Sequence, residues 1–202
     1  QRQMCIRDRY KGSIKIAGNE LSELDDEKKA GFVAYLGHDP ELFNDTVKNN
    51  ILMGDDKDVA KLLKAVCFDE EVNEMENRQD TYVGNTGVRL SGGQAQRLAL
   101  ARTLCHKKPL IILDDPFSAL DKDTEREVFA NLKEYTKDCI VILISHRLYL
   151  FPQMDQIIWM EDGKTVVGTH EELLARVPEY QKLFTEEGGS ATVSYTHLRA
   201  HE

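Results

Sequence analysis

Two short stretches hold the residues whose types and spacing best suit chemistry. Leu90-Ser91-Gly92-Gly93-Gln94 sets a hydroxyl and two glycines just ahead of a helical pattern. Several backbone N–H groups and the positive end of the helix dipole can then face one anion, which is phosphate chemistry. Further on, Leu110-Ile111-Ile112-Leu113-Asp114-Asp115 is an unbroken apolar run closing on two carboxylates. Such a run predicts a strand buried on both faces, with its polar tip at the ligand edge of a parallel sheet. Asp114 at that tip offers oxygen to a hard cation such as Mg2+, the alternative being a simple strand cap.

The surrounding pattern supplies elements to position these residues. Leu98, Ala101 and Cys105 recur at helical spacing behind Gln94 and anchor the helix that the glycines open. Pro109 closes that helix, because the residue before a proline avoids helical geometry. A helical stretch over 124–135 joins the apolar run to a second one, Cys139 to Ile144, giving a β-α-β unit. Parallel strands end on one side, so Asp114, Asp115 and Ser145-His146 are expected along one sheet edge. Upstream, Ser13 to Ile16 and Phe32 to Leu36 read as strands, with a turn at Gly18-Asn19. From Asp39 to Lys108 the pattern is mostly helical, with Val59, Leu62, Leu63 and Val66 in one apolar stripe. Downstream, Gln156–Met160 and Thr165–Val167 alternate around Asp162-Gly163, a hairpin signal. Thr169 and Glu172 form a capping box that starts a last helix.

The 202 residues, 41% apolar and 30% charged, suffice for one folded α/β domain with a buried core. No apolar run is long enough to cross a bilayer. The formal charge of −9 argues against a surface built for nucleic-acid phosphates. Cys5, Cys67, Cys105 and Cys139 form no Cys-x-x-Cys pair, and no secretory leader is recognisable, favouring a reducing, cytoplasmic setting with buried thiols. Residues 1–9 and 188–202 read as non-native leader and disordered tail. His197 and His201, four apart in that tail, are given no metal role.

Taken with Ser118-Ala119-Leu120-Asp121, the two stretches resemble the nucleotide-binding domain of an ATP-binding cassette (ABC) transporter, from about Gly12 to Phe184. The resemblance implies a P-loop NTPase (RecA-like) α/β core with an inserted helical subdomain. Residues 10–38 and 109–187 would belong to the core, and 39–108 to the subdomain. ATP and Mg2+ are the implied substrate and metal. Ser91, Gly92, Gly93 and Gln94 would close over nucleotide held by a second cassette, and Asp114 would hold the metal. Asp115 stands where the family usually has a water-polarising glutamate. His38 replaces a metal-sensing glutamine, and Asn85 an exporter glutamate that touches the membrane domains. His146 resembles the switch histidine at the terminal phosphate, against the alternative of a core histidine. Asp121 resembles the loop residue facing the partner cassette, with helix capping as its competitor.

No Gly-x-x-x-x-Gly-Lys-Ser/Thr phosphate loop is present, so the core is expected to be incomplete and the sequence an N-terminally truncated fragment. Made alone, it is expected to aggregate and turn over no ATP, since apolar surface would stay uncovered. Aspartate is one methylene shorter than glutamate, and a displacement of about 1 Å can cost on the order of a hundredfold in rate. An intact signature beside Asp115 and His38 thus implies the impaired-site half of a heterodimeric exporter, an adequate aspartate being the alternative. The implied partners are a second cassette, in a homo- or heterodimer, and transmembrane domains at the cytoplasmic face of the plasma membrane. Nucleic acid is not expected as a partner. The competing functions are a cassette ATPase acting on DNA or ribosomes and a binding-only pseudo-cassette.

Overall fold

A computed structural model describes residues 12–84 and 86–187. The expectations for Cys5, Asn85, the leader at 1–9, the tail at 188–202 and the His197/His201 pair lie outside the described residues. The chain divides into two compact units, one ending at Ile144 and the other beginning at Ser145.

In the first unit, β1 (Lys15–Ile16) and β2 (Asn19–Glu20) form an antiparallel hairpin. It turns on Ala17 and Gly18, whose φ angles of 50° and 81° match the twist that two-residue hairpin turns need. The turn sits one residue before the predicted Gly18-Asn19, because Asn19 pairs with Ile16 and its side-chain amide folds back to the Ala17 carbonyl at 3.2 Å. The charged segment that follows is helix α1 (Asp26–Phe32), capped by the Asp25 carboxylate, which accepts from the Lys28 amide at 2.8 Å. This helix takes Phe32 from the predicted strand and leaves β3 as Val33–Leu36.

Next come β4 (Asp45–Thr46), α2 (Val47–Leu52), α3 (Val59–Ala65), α4 (Asp69–Glu74) and β5 (Tyr82–Val83), with β4 and β5 paired antiparallel. The stripe of Val59, Leu62, Leu63 and Val66 is buried, as its spacing predicts. Helix α5 (Gly92–Cys105) packs against α2, α3 and β3. One apolar face was expected of it, yet Gln96, Arg97 and Thr103 are buried too. With neighbours on several sides, their polar atoms must find partners inside the protein.

Strand β6 (Leu110–Asp114), helix α6 (Lys122–Tyr135) and strand β7 (Ile140–Ile144) complete the expected β-α-β unit. The parallel sheet runs in the order β3-β6-β7, with Leu36 opposite Leu113 and Asp114 opposite Ile144. Burial on both faces does not hold. Ile111 and Leu113 on one face are fully buried, whereas Tyr35 (61%), Ile140 (69%) and Ile144 on the other are exposed. The strand period of two sends alternate side chains to opposite faces, and the described elements cover only one of them. That other face is apolar and exposed, with Ile142 beside Ile140 and Ile144.

The second unit turns its hairpin, β8 (Ile157–Glu161) with β9 (Lys164–Gly168), on Asp162 and Gly163 at φ 46° and 72°. The capping box at Thr169 and Glu172 starts α7 (His170–Arg176). The single last helix expected here is two helices, because Val177 precedes Pro178 and is extended (φ −122°, ψ 97°) before α8 (Pro178–Glu187). Ile157, Leu173, Val177 and Tyr180 form the core of this unit. Among the described residues, no helix is long and apolar enough to cross a membrane.

Candidate functional site

Ser91 is the N-cap of α5, and its hydroxyl accepts from the Gln94 amide at 3.2 Å. The Gln94 Oε1 accepts in turn from the Ser91 amide at 2.8 Å, completing a capping box. The first intrahelical bond runs from the Ala95 amide to the Ser91 carbonyl. The amides of Gly92 and Gly93 therefore lack an intrahelical acceptor, at the end of the helix where the dipole favours an anion. Gln94 Nε2 donates to Glu71 at 2.6 Å, and the Arg97 guanidinium pairs with the same carboxylate while lying over the Phe68 ring. Glu71 thus anchors α5 to α4 from behind, so the side chain of Gln94 is committed to holding the helix tip.

The glycines also answer a packing demand. A Cβ at Gly93 would lie 2.7 Å from the Ala119 carbonyl oxygen, and one at Gly92 would touch the Ala119 methyl at 3.6 Å. The helix tip therefore sits directly on the loop that follows β6. Sequence reasoning missed Gln96, which ties the same two parts together. Its buried side chain donates to the Asp115 carbonyl at 3.3 Å and accepts from the Ser118 hydroxyl at 3.5 Å. Polar residues at inward helix positions were the available signal.

Asp114 ends β6, half-buried, with the Tyr35 hydroxyl 3.4 Å from its Oδ2. Asp115 follows in the left-handed region (φ 47°), with its amide donating to the Ile144 carbonyl at 2.8 Å. This turn drives the chain sharply away from the sheet and leaves the Asp115 carboxylate facing His38. Its Oδ2 lies 3.8 Å from His38 Nδ1. Two of the three residues that depart from the resembled ABC pattern, His38 and Asp115, are therefore neighbours at the C-terminal ends of β3 and β6. For a divalent cation the donor is suitable, since Asp114 presents a carboxylate, a hard oxygen ligand, at the strand end.

Asp121 caps α6. Its Oδ1 accepts from the Asp123 and Thr124 amides at 3.1 and 3.0 Å, and its Oδ2 from the Thr124 hydroxyl at 2.7 Å. The bonds from Thr124 hold its carboxyl below the usual aspartate value. A carboxyl depressed in the folded state adds stability above its unfolded pKa, and that stability is lost as pH falls through the folded value. In Asp121→Asn the cap persists without the titration. The wild-type thermal midpoint should therefore fall more steeply than the variant's between about pH 5 and pH 2. Parallel curves would contradict this account of the cap. His146 stands exposed in the second unit, two residues beyond β7, where the Ser145 hydroxyl accepts from the Arg147 amide at 3.1 Å.

The structure thus brings His38, Asp114 and Asp115 to one sheet edge, and Ser91 to Gly93 onto the adjoining loop. Comparison with known proteins gives the family likeness. The ABC transporter family profile matches residues 4–118. The glutathione/L-cysteine transport system ATP-binding/permease protein CydD of Bacillus subtilis is 39% identical over 86% of the chain, and an ATP-dependent lipid A-core flippase of Salmonella paratyphi A is 40% identical over 85%. The chain spans 31% of the length of each relative. The structure of a bacterial Atm1-family ABC exporter with ATP bound superimposes with a TM-score of 0.81 at 30% identity, covering 89% of this chain and 32% of that one.

Proposed function

The chain belongs to the ABC transporter family, and from that premise we propose that it is the ATP-hydrolysing part of an exporter. In this reading, paired cassettes closing on ATP drive transport through membrane domains from the cytoplasmic face. The observation that carries it is the tip of α5. Two backbone amides without an intrahelical acceptor, those of Gly92 and Gly93, are held against the Ala119 loop, next to the strand that ends in Asp114 with Asp115 after it. A relative named as an ATP-binding/permease protein supports the coupling to membrane domains.

Roles follow from chemistry and position. Gly92, Gly93 and the Ser91 hydroxyl donate to phosphate bound on the opposing cassette, where fixed donors stabilise developing charge. Asp114 holds Mg2+, which neutralises charge on the phosphate oxygens when bound. Asp115 orients the attacking water, and His146 reaches the terminal phosphate. Asp121 acts at the cassette interface through the helix it caps.

The short reach of Asp115, with His38 beside it, makes this the weaker of two sites in a heterodimer. In the complete protein, Asp115→Glu should raise single-site ATP turnover by up to about a hundredfold, the cost assigned to a misplacement of one methylene. An unchanged rate would remove the impaired-site reading and leave the cassette assignment standing.

A further inference from the structure

At the other end of α5, three side chains of the kinds that ligate transition metals come together. Asp55 Oδ2 lies 3.5 Å from His106 Nδ1, and the ligand atoms of Asp55, Cys105 and His106 are all within 4.8 Å of one another. The second ring nitrogen of His106, Nε2, contacts the Ile51 carbonyl oxygen at 3.1 Å. A carbonyl oxygen only accepts, so Nε2 carries a proton. The other ring nitrogen, Nδ1, is the one that faces the Asp55 carboxylate, so the ring presents to that carboxylate the nitrogen that a shared cation would need. A backbone carbonyl fixing the far nitrogen is also how metal-bound histidines are commonly oriented.

Spacing agrees with this chemistry. With bonds of about 2.0–2.1 Å, the nitrogen-to-oxygen edge of a tetrahedral zinc site is about 3.4 Å. The Asp55 and His106 atoms already have that separation, and the thiol has to close by no more than about 1 Å. His106 is the C-cap of the 14-residue helix α5, where the dipole favours positive charge. We propose that Asp55, Cys105 and His106 bind a divalent cation of the zinc class, joining the end of α5 to the loop after α2. Binding exchanges the thiol proton, released to solvent, for a sulfur–metal bond.

Lys57 is the competitor. Its ammonium is 3.0 Å from Asp55 Oδ2 and donates to the Cys105 carbonyl oxygen. It neutralises the carboxylate, and a metal ion must displace it. Removing that ammonium should therefore strengthen metal binding, an outcome opposite to that expected if Lys57 and Asp55 formed only a structural pair.

Titrating Co2+ into the full chain tests the site through the near-ultraviolet thiolate-to-cobalt absorption. A saturable band, displaced by Zn2+, is expected. It should vanish in Cys105→Ser, weaken in affinity by about tenfold or more in Asp55→Asn, and tighten by about tenfold in Lys57→Met. Asp55 is exposed, so Asp55→Asn decides the matter even if Cys105→Ser fails to fold. Absence of the band, or affinity unchanged in Asp55→Asn, would overturn the proposal.

Discussion

Replacing Gly93 by alanine should lower ATP turnover in the complete transporter by about a hundredfold while leaving its cassette folded. The added methyl would lie 2.7 Å from the Ala119 carbonyl oxygen and 3.4 Å from a methyl of Leu120. Backbone stands on both sides of the closer contact, so no side chain can swing away to relieve it. Either the tip of α5 or the loop after Asp115 must move by a large fraction of an ångström. Both outcomes displace the Gly92 and Gly93 amides from the strand end that carries Asp114. A misplacement of about 1 Å costs on the order of a hundredfold in rate when donors must meet a transferring group. Alanine is also a better helix former than glycine, so helix propensity offers no competing explanation for a loss. The measurement is steady-state ATPase alongside nucleotide affinity. A rate within about threefold of wild type would show that the α5 tip does not act on phosphate.

The largest stability loss is expected from Arg102→Met. Arg102 Nε donates to the Asn50 carbonyl at 2.7 Å, Nη2 to Asn50 Oδ1 at 2.7 Å, and Nη1 to the Glu41 carbonyl at 2.9 Å. Its guanidinium also lies 4.7 Å over the Phe43 ring. Asn50 is wholly buried, and its own amide donates to the carbonyls of Phe43 and Thr46 at 3.0 Å. Methionine fills similar space but takes the Arg102 donor from the Asn50 carbonyl and leaves Asn50 Oδ1 with only the Phe43 amide at 2.9 Å. Each buried polar group left unpaired costs about 1–3 kcal/mol, so a loss on the order of 3 kcal/mol is expected. In a domain of this size that lowers the thermal midpoint by roughly 6–12 °C. Arg102→Lys should lose most of the same stability, since one ammonium cannot reproduce a planar fork of donors. A drop below about 2 °C in Arg102→Met would contradict this account.

These two residues also show what can be read along a chain and what cannot. Gly93 is legible: a hydroxyl, two glycines and a helical period are adjacent, and their consequence for backbone amides is local. The β-α-β unit, the Asp162-Gly163 hairpin and the Thr169 capping box are legible for the same reason, since each is fixed within a few residues. Arg102 reads only as a polar interruption of an apolar helix, because its partners stand some fifty positions earlier in α2 and the loop before it. Glu71, Tyr35 and Gln96 escaped notice likewise. Each gains meaning from a neighbour that folding supplies. The Asp25 cap and the Val177-Pro178 break were present as signals, though α1 has too little apolar periodicity to attract attention. The open sheet face corrects a different inference. An apolar run says that a strand can be buried on both sides, but the elements that cover it must come from elsewhere.

The pairing of His38 with Asp115 came from the same source. Each looked like an isolated departure from the family pattern, and the parallel register of β3 and β6 makes them neighbours.

The most direct test of the central claim is the distance between the two cassettes of the assembled transporter, read by paired spin labels carried on an unnatural side chain at exposed position 123. With ATP bound and hydrolysis blocked, the α5 tip of each cassette should close over the other's nucleotide, and the label distance should shorten and narrow relative to the nucleotide-free protein. A distribution that ATP leaves unchanged would contradict the account, because the Gly92 and Gly93 amides would then have no phosphate to meet.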